Sequence, residues 1–311
     1  MGVFGTCKAM VGPPRPLPPP VPRGGRIGVV SLASPLDAAS FRRGVAALKA
    51  EGFQVLTAGQ PAARDGYLAG DDQARLEALN QLLELQPHAL VATRGGYGVM
   101  RLLSRFPWEK LIAWRGWVVG YSDLTALHAA LATRFPVATL HGPMLGTLAR
   151  DAAARADVLR WLQGGQRTPL FRIPRGAVVR GGVTRGVAIG GNLSLMAALV
   201  GTPFEAPYEG SVLFLEDVGE PAYRLDRLLT QLALSSRLSR VSAVVVGEMT
   251  RCGVGVRGWR SRWRRLLGEA APQAVVVEGL PFGHGTRNRA FPLGVEVEVD
   301  TVTGTIRCTG G

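Results

Sequence analysis

The first half of the chain alternates short apolar runs with segments whose apolar residues recur every three or four positions. Residues 27–32, 53–57, 89–92, 117–119 and 137–140 are apolar runs of strand length. Between them, residues 41–52 carry Phe41, Val45 and Leu48 on one helical face and stop at Gly52. Residues 71–85 do the same with Leu76, Leu79, Leu82 and Leu83, and the pattern returns at Leu124, Leu127, Ala130 and Leu131 and again over 151–163. Strands alternating with helices predict a parallel sheet covered by helices. Ligands in such sheets bind beyond the carboxyl ends of the strands.

The second half is less regular. Residues 164–182 mix glycine, arginine and proline with short apolar pairs, and 166–185 reads as a linker between an N-terminal domain at 26–165 and a second domain at 186–311. Strands are expected at 212–215, 241–246 and 275–277, helices at 193–200 and 225–234, a basic helix near 257–268, and a closing hairpin from 295–299 and 304–308. Residues 1–25, with prolines at 13, 14, 16, 18, 19, 20 and 22, read as a disordered, basic, polyproline-like tail. They lack the apolar centre of a secretory signal.

Composition changes this picture little. A length of 311 residues suits two domains or one large one, and 47% hydrophobic residues support a full core. The net charge of +13 is nearly all arginine, since lysine occurs only at Lys8, Lys49 and Lys110. That excess invites a nucleic-acid reading, but no binding motif accompanies it and the arginines are spread along the chain, so nucleic acid is not the expected partner. The charge could also draw in acidic substrates. Cys7, Cys252 and Cys308 fit neither a disulfide framework nor a zinc pattern, which points to a reducing compartment. No apolar run is long enough to span a membrane.

The candidate chemistry centres on residues 117–128. Trp117 to Val119 form the run of a buried strand, Gly120 and Tyr121 turn the chain, and Ser122 then opens a helix with Asp123 in its first turn. A serine there exposes its hydroxyl above a sheet edge, and the next amide is free to hold an oxyanion. The competing reading is that Ser122 only caps the helix, and on this stretch alone that reading is the stronger. Residues 93–98, with Gly95, Gly96 and Gly98, match no dinucleotide or P-loop fingerprint; their glycines serve a tight turn or free an amide. Glu216 ends an apolar strand, where a carboxylate is costly without a partner or a cleft to face; taken alone, an exposed strand-end residue is the stronger reading. His284 sits between glycines in a loop, where a functional residue and a plain surface histidine are equally good readings. In order, Ser122, Glu216 and His284 could form a nucleophile, an orienting carboxylate and a base. The order matches α/β-hydrolases, but their elbow needs glycine where this chain has Leu124, so that fold is discounted.

These residues resemble the serine LD-carboxypeptidases of murein recycling, with the microcin C immunity peptidases as a related branch. The matching blocks are 94–98, 120–128, 141–143, 190–193 with 201–203, 215–218 with 223–227, and 283–285 with 292–294, spread over residues 26–308. The resemblance implies an α/β fold: a parallel-sheet N-terminal domain and a smaller β-rich C-terminal domain, with the active site between them. It implies Ser122 as nucleophile, His284 as general base, Glu216 as its orienter, and an oxyanion hole from the amides of Asp123 and the Gly95–Gly96 turn. It implies release of a terminal D-alanine from murein tetrapeptides by a cytoplasmic homodimer, with no cofactor and no metal. Tyr121, Arg287 and Arg289 are substrate-binding candidates by position, the arginines for a terminal carboxylate, although solvated loop charge is the stronger reading for them. Two other readings stand beside it. One is a peptidase of nucleotidyl-peptide antibiotic conjugates, which would want an aromatic over the base; Trp259 and Trp263 are available, but core packing suits them better. The other is a non-catalytic module binding peptidoglycan fragments or nucleic acid.

Overall fold

The structure is a computed structural model and describes residues 12–60 and 63–309. Strands β1 (Arg26–Val30), β2 (Gln54–Thr57), β3 (Ala89–Ala92), β4 (Trp117–Gly120) and β5 (Thr139–His141) pair in parallel. Helices cover them on both sides, so β3 and β4 are buried at every position, which is why they read as unbroken apolar runs. The expected helices form at Ala38–Ala50, Asp72–Glu84 and Ala152–Leu162, and each is started by an aspartate. Asp37, Asp71 and Asp151 each accept a backbone N–H three residues on, at 2.8, 2.8 and 2.9 Å.

A second sheet follows. It contains β6 (Phe171–Arg172), β7 (Val178–Arg180), β8 (Val183–Asn192), β9 (Val212–Val218), β10 (Ala243–Thr250) and β11 (Val275–Val277). Strand β12 (Phe291–Leu293) returns to the first sheet, antiparallel to β5, and β13 (Glu296–Asp300) and β14 (Thr305–Cys308) complete the second. The strand orders are β12-β5-β4-β3-β1-β2 and β6-β14-β13-β8-β9-β10-β11-β7. The centre of the second sheet, β8 to β11, is parallel, and β13 and β14 form the expected hairpin. Because β12 crosses back, the loop before it is held between the two sheets. A second tie is the Asn192 N–H, which donates to Thr125 Oγ1 of the helix Thr125–Arg134 at 2.9 Å.

Two expectations need correction. The segment 166–185 is not a free linker: it supplies β6, β7 and the start of β8, because its apolar pairs bury Leu170 and Phe171 against the core. The tail is not disordered over 12–25, while residues 1–11 lie outside the described residues. Prolines offer no backbone N–H, yet their carbonyls accept bonds from the body: Pro16 from the Ala138 N–H at 2.9 Å and Pro19 from Trp117 Nε1 at 3.1 Å. The Val21 N–H donates to the Leu162 carbonyl at 2.6 Å and the Arg15 N–H to that of Gly294 at 2.8 Å, with Val21 buried. Among the described residues no helix is long and apolar enough to cross a membrane.

Candidate active site

Ser122 follows β4 in a strand-to-helix turn and has φ of +61°. A serine in that left-handed region costs on the order of 1 kcal/mol and persists only where its surroundings hold it. It makes no capping bond. Instead its Oγ lies 3.0 Å from His284 Nε2, and His284 Nδ1 lies 2.6 Å from Glu216 Oε2. The three candidates, drawn from both sheets, therefore meet in one hydrogen-bonded chain. Glu216 is fully buried on β9, an interior strand. Burial pushes its carboxyl up and the bond to His284 pulls it back. Gly283 has φ of +108°, and a Cβ there would stand 2.7 Å from Glu216 Oε2, so only glycine lets the loop approach the carboxylate. The neighbouring Asp217 is occupied elsewhere, by Asn192 Nδ2 and by the N–H and Oγ of Ser194.

Several supports were not singled out from sequence. His128, on the helix behind Ser122, bridges Gly120 O and Thr139 Oγ1, both at 2.9 Å, and ties the end of β4 to β5. Burial holds its ring down to about 4 against the Gly120 bond, so it is neutral, with Nε2 donating to the carbonyl and Nδ1 accepting the hydroxyl. Tyr121, a substrate-binding candidate from sequence, packs on His284 with ring centroids 4.9 Å apart and on the buried His141 at 5.9 Å. His141 in turn stacks on Phe291 at 4.8 Å, so the His284 ring rests on an aromatic shelf that continues into the core. Polar residues inside apolar surroundings were the available signal for both histidines.

The turn at 94–98 closes over Ser122. A Cβ on Gly95 would lie 2.8 Å from both Cβ and Oγ of Ser122 and 3.4 Å from the Asp123 nitrogen. The Asp123 amide lies in the first turn, where it has no helical acceptor. Gly95→Ala should therefore displace the Ser122 hydroxyl and lower turnover by about 10²-fold with the fold retained. Steady-state kinetics with a melting curve checks this; a fully active Gly95→Ala protein contradicts it.

The Asp123 side chain fastens the same turn from beneath: Oδ2 accepts the Val99 N–H at 2.8 Å. Arg75, fully buried, donates to the carbonyls of Gly98 at 3.1 Å and Leu32 at 2.5 Å. Burial raises the Asp123 carboxyl to about 6, opposed by the Val99 N–H and the Arg75 charge. The folded chain thus takes up this proton near pH 6 and the unfolded chain only near 3.8, so stability falls as pH rises through that window. The loss is about 3 kcal/mol at most. Asp123→Asn removes it: the stability of the variant relative to wild type, read by urea unfolding, should rise from pH 4 to pH 6.5 and then level. A gap that stays constant contradicts the assignment.

Of the other candidates, Arg287 and Arg289 are exposed on the loop after His284. Arg289 lies near enough to Arg167, which pairs with Asp157, to oppose its charge. Trp263 is buried and pairs with Trp259 at 5.9 Å in the helix Trp259–Ala270, as expected of packing residues. The arginines of that helix are largely paired: Arg260 and Arg264 with Glu278, and Arg262 with Asp226.

Known proteins with the same pattern share both halves. Residues 27–142 match the LD-carboxypeptidase N-terminal domain and residues 185–299 the LD-carboxypeptidase C-terminal domain. A putative carboxypeptidase of Streptomyces coelicolor is 38% identical over 291 residues, spanning 91% of this chain and 93% of its own. The murein tetrapeptide carboxypeptidase of Pseudomonas aeruginosa is 33% identical over 290 residues, spanning 88% and 92%. The solved structure of MccF in complex with glutamyl sulfamoyl guanosine superimposes with a TM-score of 0.83 over 96% of this chain and 99% of that one; its 22% identity speaks to the fold alone.

Proposed function

The chain belongs to the LD-carboxypeptidase family, a family of peptidases, and from that premise we propose that it is a serine peptidase releasing the terminal D-alanine from murein tetrapeptides. The observation that carries this reading is the chain of bonds from Ser122 through His284 to Glu216. His284 Nε2 takes the Oγ proton as Oγ attacks the carbonyl of the L,D-amide, and Glu216 on Nδ1 fixes the tautomer and stabilises the imidazolium. The amides of Asp123 and the Gly95–Gly96 turn receive the oxyanion. His284 then gives its proton to the departing D-alanine nitrogen. A water, deprotonated by the same ring, releases the tripeptide from Ser122.

The relative from P. aeruginosa, named for murein tetrapeptides, supports the substrate class. A reducing, cytoplasmic setting fits Cys252 and Cys308, which are free. The test compares kcat/KM for a murein tetrapeptide, its pentapeptide and an aminoacyl sulfamoyl nucleoside. We expect the tetrapeptide to be favoured and the pentapeptide to be refused. Preference for the nucleoside conjugate would transfer the assignment to the antibiotic-conjugate branch.

A further inference from the structure

A carboxypeptidase must recognise a free carboxylate only one carbon from the scissile nitrogen, so the cation that holds it has to stand beside the oxyanion turn. Arg94 is the residue before Gly95, about 3.8 Å away along the chain, and Gly95 is the residue pressed against Ser122 Oγ. The segment that carries Arg150 is bonded to the same place: the Gly146 N–H donates to the Thr93 carbonyl at 3.1 Å, and the Arg150 N–H donates to Thr147 O. Both side chains are exposed. Among the described residues neither has a carboxylate partner; the one side-chain hydrogen bond of Arg94 is a long one, 3.3 Å, to the Pro35 carbonyl.

We propose that Arg94 and Arg150 form the subsite for the α-carboxylate of the departing D-amino acid, which makes the enzyme act only at a chain end. The inference rests on the peptidase reading above. Two guanidinium groups are suited to it because each offers a planar fork of donors to a carboxylate. Their charges also reach the Tyr121 phenol, which rests on His284; both act there against burial and the Glu216 charge. Both cations thus act on the ring that packs against His284, whereas the charge of Arg289 acts on Arg167.

The test uses binding, so it does not depend on turnover. The full chain carrying Ser122→Ala is titrated by calorimetry with the tetrapeptide acid and with its C-terminal carboxamide. The acid should bind about 10- to 100-fold more tightly, the range expected of charge-assisted bonds. Adding Arg94→Gln should cut that ratio roughly tenfold, adding Arg150→Gln as well should bring it near unity, and Arg94→Lys should retain part of it. The proposal is overturned if the parent protein fails to favour the acid, or if the double variant keeps the parent's ratio within about twofold. An acid preference in a protein whose wild type releases no D-alanine would keep the subsite and sink the peptidase reading.

Discussion

Ser122→Ala is expected to lower D-alanine release by a factor on the order of 10⁴ to 10⁶, with the tetrapeptide still bound. The size follows from the geometry. Ser122 Oγ is the side-chain oxygen that faces Nε2 of His284, and its left-handed backbone holds it beneath Gly95. No capping bond is lost in the change, so the fold should be unaffected and the melting temperature should move little. What survives is the rate from binding and the oxyanion amides, which without a nucleophile still exceeds water alone. A variant with near-wild-type turnover would remove Ser122 from the chemistry.

Glu216→Gln carries the second largest expectation, a fall in kcat of about 10⁴-fold with little change in KM. The amide keeps the shape but not the charge that stabilises the imidazolium, and it can present its NH₂ to Nδ1 and so favour the wrong tautomer. The side chain is fully buried beneath Gly283, where even an added Cβ would stand 2.7 Å from Oε2, so it has little room to turn away. Stability separates this from mere damage. Burial raises the Glu216 carboxyl in the folded chain, so its ionised form costs stability at neutral pH, and the neutral amide relieves that cost. The variant should be at least as stable as wild type at pH 7, an advantage that shrinks as the pH falls and the wild-type carboxyl becomes protonated in the folded and then the unfolded chain. Inactivity together with a large loss of stability would contradict this account.

The N-terminal sheet was legible because its central strands, β3 and β4, are unbroken apolar runs and its helices repeat apolar residues every three or four positions. Ser122, Glu216 and His284 were named from their local settings and their order; their convergence was not legible, since it needs β12 to cross between sheets and Gly283 to sit against a carboxylate. Three letters, Phe291 to Leu293, carry no signal of which sheet they join. The segment 12–25 misled for a related reason: its composition fits disorder, while its order comes from partners such as Trp117 and Leu162 that lie far along the chain. His128 and Arg75 escaped notice because a polar residue on an apolar helical face looks like an exception until the carbonyls it serves are located.

The most direct test of the central claim is chiral analysis of the amino acid released when the purified full chain and its Ser122→Ala variant are incubated with a murein tetrapeptide. One equivalent of D-alanine from the wild type, absent from the variant, is the result predicted here. No release from the wild type, or equal release from both proteins, would contradict it.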